Sequence, residues 1–192
     1  MTAYTINFNS VCQLNDEQFY QLCRHNPDIK FERNPTGEII VMSPTGGETG
    51  NRNIEIAGDF VIWNRQTKLG KLFDSSTCFK LPNGADRSPD IAWIKQERWD
   101  QLTPEEKEKF PPISPDFVLE LMSLSDTLKV TQAKMKEYME NQVRLGWLID
   151  RKNRYVEIYR LGQSVEKLQS PPTLSGENVL PGFVLDLQIV WD

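Results

Sequence analysis

Histidine is nearly absent from this sequence, which contains only His25. Residues 15 to 25 open with Asn15 and two acidic side chains and repeat apolar residues at helical spacing, which predicts a short helix that ends at His25. An imidazole at the C-terminal end of a helix interacts favourably with the helix dipole, so we expect a structural role for this residue. Mechanisms that need a catalytic histidine therefore lose their main residue.

Cysteine is also scarce. Cys12, Cys23 and Cys78 show no CxxC spacing, so they predict neither a zinc site nor a disulfide framework. That usage is typical of a reducing compartment, and a cytoplasmic location is expected. The sequence has no apolar run of about eighteen residues and no basic segment followed by an apolar block at its start, so we expect neither a membrane span nor a signal peptide.

Positive charge is in deficit, because 22 Lys and Arg residues stand against 27 Asp and Glu residues and give a net charge of −5. Proteins that coat nucleic acid bind mainly by neutralising phosphates, so this balance excludes a broad basic face, although it allows a small local patch. The glycines before the predicted helix at 48–64 match no P-loop, since no Gly-Lys-Ser/Thr follows them. Nucleotide binding through such a loop is therefore not indicated.

What the sequence does contain is the pattern of one α/β domain over residues 1–192. Alternating runs on both sides of the turn at 34–37 predict a β-hairpin. Further strands are predicted by apolar or alternating runs at 71–74, 77–81, 88–94, 117–123, 144–150 and 155–159.

The amphipathic segment 127–141 predicts a long helix between two of these strands, which would make them parallel neighbours joined by a right-handed crossover. The polar residues 95–116 predict a surface excursion with one short helix, and the alternating tail at 184–190 predicts one more strand. The expected fold is a mixed β-sheet flanked by helices.

Two acidic residues interrupt runs that otherwise predict buried strands. Glu120 lies in the middle of Phe117 to Ser123, and Asp90 follows Pro89 in the run at 88–94. Burying a carboxylate costs several kcal/mol unless it is compensated, and two carboxylates about 5 Å apart repel by roughly 3 kcal/mol at an effective dielectric of 20. The pair therefore favours a metal ion or bound protons. The structural alternative is that Asp90 accepts backbone amide hydrogen bonds and Glu120 forms an ion pair with a lysine.

Lys134 is the lysine predicted to reach these acids from the following helix. At 100° per residue it shares a semi-apolar stripe with Val130 and Tyr138, which is expected to face the sheet. Lys129 and Lys136 point away from that stripe and are expected to be solvated. Two acids and a lysine are typical of a nuclease site.

These motifs together resemble the Uma-type restriction endonucleases, a family of the PD-(D/E)XK nuclease superfamily. The resemblance rests on the segments SPDIAW (88–93), LELMS (119–123), KMKEY (134–138) and GWLID (146–150), and it covers about residues 10 to 190. It implies a restriction-endonuclease-like core, Mg²⁺ as the usual ion with Mn²⁺ as an alternative, and cleavage of DNA phosphodiesters. DNA is the expected partner molecule and a homodimer the expected assembly.

The resemblance also assigns roles to residues. The superfamily pattern places a lysine two positions after the second acid, where this chain has Met122, and Lys134 matches the lysine that this family takes from the following helix. Asp90, Glu120 and Lys134 are then the catalytic residues, with Asp90 and Glu120 as metal ligands. Glu48 resembles the acid of the first superfamily helix and is expected to be a further ligand.

Several alternatives stay open at this point. Glu55 is the alternative to Glu48 as the additional acid. The chain is interpreted as a Mg²⁺-dependent DNA endonuclease, as a catalytically silent binding module that keeps the fold, or as a metal hydrolase of another phosphate. Trp63 and Trp99 are expected to be core residues, dimer-surface residues or base-stacking platforms, in that order.

Overall fold

A computed structural model describes residues 3–7 and 9–191; residues 1, 2, 8 and 192 of the predicted domain lie outside the described residues. The helices are α1 (Asp16–His25), α2 (Gly47–Thr67), α3 (Gln96–Asp100), α4 (Pro104–Glu108), α5 (Leu128–Glu140) and α6 (Gln188–Trp191). The strands are β1 (Ala3–Ile6), β2 (Lys30–Arg33), β3 (Ile39–Met42), β4 (Gly70–Asp74), β5 (Phe79–Lys80), β6 (Asp86–Arg87), β7 (Ile91–Lys95), β8 (Phe117–Met122), β9 (Leu145–Asp150), β10 (Tyr155–Arg160), β11 (Glu166–Gln169), β12 (Thr173–Ser175) and β13 (Val184–Asp186).

The central sheet has six strands in the order β11-β10-β9-β8-β7-β4. Strands β8 and β9, in which every residue is buried, run parallel and are connected through α5. The other four strand pairs of this sheet are antiparallel. The mixed sheet flanked by helices, predicted from the sequence, is therefore confirmed.

The predicted hairpin forms between β2 and β3, where Gly37 adopts a positive φ of 91° in the connecting turn. A side chain at that position would be strained, which explains the glycine. The hairpin does not join the central sheet. It belongs to a second, five-stranded sheet in the order β1-β3-β2-β6-β5, while β12 and β13 form a separate two-stranded ribbon.

The central sheet is covered on both faces. On one face α2 contributes Phe60 and Trp63 to a core that includes Trp147, whereas on the other face α5 contributes Met135 and Tyr138. Burying large apolar side chains of this kind stabilises the fold by about 2 to 3 kcal/mol each. Of the tryptophans with open roles, Trp63 is buried in the first core and Trp99 is partly buried against the second. Trp63 is therefore a core residue, the first of the three expectations, and Trp99 packs at the edge of the second core.

Two predicted segments differ from the structure. The excursion at 95–116 holds two short helices, α3 and α4, where one was expected; Thr103 and Glu106 form the capping box at the start of α4. The tail forms a strand only over Val184–Asp186, after which the Asp186 carboxylate accepts the Gln188 backbone N–H and α6 begins. Within the described residues, no helix has both the length and the apolar character needed to cross a membrane.

Candidate active site

The pairing of β7 with β8 brings Asp90 and Glu120 to the same end of the central sheet. Ile91 lies opposite Leu119 in this antiparallel pair. Asp90, the residue before β7, is therefore next to Glu120, the residue after Leu119 on β8. The Oδ2 atom of Asp90 accepts a hydrogen bond from the Leu121 backbone N–H at 2.8 Å. Both acids line a concave pocket of about 350 Å³.

Both carboxylates lie at the floor of this pocket and are largely removed from water. Asp90 is 9% exposed and Glu120 is 8% exposed. Burial raises the pKa of Asp90, although the Leu121 amide partly offsets the effect. Burial also raises the pKa of Glu120 to about 7, against the attraction of Lys134 and with the repulsion of Asp90. The site therefore favours a bound cation or a proton.

Lys134 projects from α5 into the same pocket. Its Nζ atom lies 2.9 Å from Oε1 of Glu120 and 2.9 Å from Oε1 of Glu32. Burial lowers the pKa of this amine, but the two carboxylates outweigh it and raise the pKa above the ordinary value, so the side chain is a cation. One turn later on α5, the Tyr138 hydroxyl donates a hydrogen bond to the same Oε1 atom of Glu120 at 2.9 Å.

The helical-wheel expectation holds for most of α5. Lys129 and Lys136 are exposed, and Tyr138 is fully buried. Val130 differs, because it is 66% exposed and lines the pocket instead of packing under the helix. It lies in the first turn of α5.

Among the described residues, Glu32 is the buried acid of the pocket that the sequence did not single out. It lies on β2, is 2% exposed, and accepts the Ser88 backbone N–H at 2.9 Å besides the Lys134 amine. Burial raises the pKa of Glu32, but Lys134 and Arg87 more than offset this and lower it overall. One acidic residue in an alternating hairpin strand gives no local signal, because its partners are 56 and 102 residues away.

Glu48 is not brought together with Asp90 and Glu120 in this structure. Its carboxylate is largely exposed, lies 3.5 Å from Arg151 and 3.9 Å from Arg52, and lines a separate pocket at the start of α2. Glu55 is exposed on the same helix. Metal binding by Glu48 therefore stays a prediction, and Glu32 is the third acid that the fold places beside Lys134.

The donor chemistry of the pocket fits a hard divalent cation. The Lys134 and Tyr138 hydrogen bonds both go to Oε1 of Glu120, and the Leu121 hydrogen bond goes to Oδ2 of Asp90, so each carboxylate has a second oxygen outside these bonds. Across residues 3–7 and 9–191, no three His, Cys, Asp or Glu side chains group closely enough to hold a metal ion. A site of two carboxylates completed by water is a usual arrangement for Mg²⁺.

Comparisons with known proteins concern the family and the fold of the chain. The family model "Uma2: Putative restriction endonuclease" matches residues 16–188. A crystal structure described as that of a putative nuclease from Anabaena variabilis superposes with a TM-score of 0.71 over 84% of this chain and 89% of that chain, at 19% sequence identity. At that identity the likeness shows the shared fold. No curated protein matches the chain.

Proposed function

We propose that this chain, which belongs to the family described as "Uma2: Putative restriction endonuclease", is a divalent-metal-dependent endonuclease that hydrolyses DNA phosphodiester bonds. Membership in this family supports a nuclease function. The metal, the DNA substrate and the residue roles are the proposal.

One observation carries the proposal: two acids and a lysine from three different elements converge in one open pocket. Asp90 precedes β7, Glu120 lies on β8 and Lys134 on α5, yet all three line the same cavity. The cavity is lined by five acidic and two basic residues, which are Glu32, Asp90, Glu120, Asp126, Glu137, Arg87 and Lys134. An excess of negative charge around a partly enclosed pocket attracts a cation, and three of the five acids, Glu32, Asp90 and Glu120, are buried.

Asp90 and Glu120 would hold Mg²⁺, or Mn²⁺ in its place, through the oxygens that Leu121, Lys134 and Tyr138 do not use. When bound, such an ion acidifies a water molecule and offsets charge on the phosphate that is being attacked. The chain's own groups prepare that site. Lys134 and Tyr138 fix the rotamer of Glu120, while the Leu121 amide fixes Asp90.

Lys134 has a second task in this proposal. Its ammonium group is a permanent cation beside Glu120, so it is placed to donate a hydrogen bond to the attacking water or to a phosphate oxygen as negative charge develops there.

A catalytically silent binding module is the second candidate. One observation favours it, because the two contacts expected of purely structural acids are both present: Asp90 accepts a backbone amide and Glu120 pairs with Lys134. A purely structural pair, however, does not require a second acid beside it; burial is the main cause that raises the pKa of Glu120, and repulsion from Asp90 adds to it. That repulsion supports the nuclease proposal.

The test is the nicking or linearisation of supercoiled plasmid by purified protein with Mg²⁺ or Mn²⁺. Wild type is expected to cleave only with the ion and to stop on chelation, and Asp90→Asn is expected to be inactive while still folded. Equal conversion by wild type and Asp90→Asn would refute the proposal, and no conversion by either would favour the silent module. Sedimentation velocity on the same sample tests the expected homodimer.

A further inference from the structure

We infer that Glu32 is a positioning residue. Its single buried carboxylate holds both the Lys134 amine and the backbone segment that leads to Asp90. The inference rests on the proposed function and adds to it a residue from the second sheet. Glu32 lies on β2, away from the central strands that carry the acids of the site.

Two parts of the site depend on the same oxygen atom. Oε1 of Glu32 lies 2.9 Å from the Lys134 Nζ atom and accepts the Ser88 backbone N–H at 2.9 Å. Ser88 is followed by Pro89, whose ring fixes the backbone φ angle, and then by Asp90. A hydrogen bond at Ser88 therefore constrains the position of Asp90 just before β7, while the ion pair constrains the position of the lysine amine.

A second link ties Glu32 to the helix that carries the lysine. Oε2 of Glu32 lies 3.5 Å from Arg87, and the Arg87 Nε atom donates to Glu137 at 2.5 Å. Glu137 is three residues after Lys134 on α5, on the neighbouring position of the helix surface. Arg87 also donates to the Asn34 side chain at 2.7 Å, which fixes its own guanidinium. Glu32 thus contacts α5 directly through Lys134 and indirectly through Arg87.

These contacts argue against Glu32 as a metal ligand. Its carboxylate already receives Lys134, Ser88 and Arg87, and no three acidic, histidine or cysteine side chains of the described chain form a metal group. Its effect on a cation is indirect. Lys134 is shared between Glu32 and Glu120, so Glu120 is only partly compensated; without Glu32, the full lysine charge would fall on Glu120 and compete with the ion.

The variant that tests this is Glu32→Gln, which keeps the shape and the acceptor for Ser88 but removes the charge. Its matched control is Glu157→Gln, another buried, hydrogen-bonded glutamate, which lies on β10 outside the pocket. Calorimetric titration with Mn²⁺ and Mg²⁺ is expected to show affinity about 10- to 100-fold weaker for Glu32→Gln, as for other residues that orient a metal site, and unchanged affinity for Glu157→Gln.

A double-mutant cycle separates positioning from general damage. If Glu32 acts through Lys134, Glu32→Gln lowers the cleavage rate strongly in wild type but little further in Lys134→Ala. If the two losses multiply, or if Glu32→Gln binds metal and cleaves as wild type does, the inference is overturned.

The two claims fail in different ways. Wild type that binds the ion but cleaves no DNA refutes the nuclease function, and the calorimetric comparison still decides the role of Glu32. Wild type that binds no ion refutes both. If Glu32→Gln does not fold, Glu32→Asp, which keeps the charge but shortens the reach to Lys134, replaces it: weakened metal affinity supports positioning, whereas near-normal affinity, or failure of both variants to fold, overturns the inference.

Discussion

Neutralising Glu120 is expected to make the metal-free protein more stable at high pH. A rise in the pKa of Glu120 from 4.5 to about 7 on folding corresponds to about 3 kcal/mol, at roughly 1.4 kcal/mol per pH unit. Between these pH values the folded protein keeps a proton that the unfolded chain releases. Stability from this group is therefore present below pH 4.5 and is lost as pH rises through about 7. Glu120→Gln, which resembles the protonated acid, should remove that loss.

The assay is urea unfolding followed by tryptophan fluorescence, at pH 5 and pH 8, with a chelator present. We expect Glu120→Gln to match wild type near pH 5 and to exceed it by up to about 3 kcal/mol near pH 8. Glu157→Gln is the control of opposite sign: burial raises the pKa of Glu157, but hydrogen bonds from Tyr159 and Tyr155 lower it overall, so its ionised form stabilises the fold. A loss of about 3 to 5 kcal/mol in Glu120→Gln at pH 8 would instead show a structural ion pair with Lys134 and refute the reasoning.

Three further predictions concern metal binding and packing. Calorimetric titration with Mg²⁺ should show a single weak-to-moderate site in wild type and none in Asp90→Ala; unchanged binding would exclude Asp90 as a ligand. Glu48→Gln should weaken that binding less than Asp90→Ala does, since the Glu48 carboxylate already pairs with Arg151; an equal loss would make Glu48 a direct ligand. Gly70→Ala should lower the unfolding free energy by about 1 to 3 kcal/mol, because a Cβ there would overlap the Ile94 carbonyl and the Trp93 ring; an unchanged melting curve would contradict this packing.

The elements that the sequence predicted well are those whose pattern is local. The strand at Phe117–Met122 and the helix at Leu128–Glu140 follow from an unbroken apolar run and from amphipathic spacing. The tail differed because an alternating pattern over 184–190 does not show that the Asp186 carboxylate accepts the Gln188 backbone N–H, where α6 begins. Side-chain contacts of this kind determine where the strand ends, and hydrophobic periodicity alone does not reveal them.

The candidate site was partly predictable for the same reason. Asp90 and Glu120 stand out because charge interrupts buried strands, and Lys134 stands out by its helical position. Glu32 does not stand out, since its environment is formed by Arg87, Ser88 and Lys134, which are distant from it in the sequence. The expected place of Glu48 beside the other acids rested on family resemblance, and in this structure an ion pair with Arg151 holds its carboxylate elsewhere.

The most direct test of the central claim is the single-turnover cleavage rate of Lys134→Ala measured beside Lys136→Ala, with saturating Mg²⁺ and plasmid DNA. Lys136 is exposed two residues further along the same helix, so it matches the change in charge and helix propensity without contacting the acids. The account predicts a loss of about 100- to 1,000-fold for Lys134→Ala with metal binding kept, and a rate near wild type for Lys136→Ala. Full activity in Lys134→Ala, or equal losses in the two variants, would contradict it.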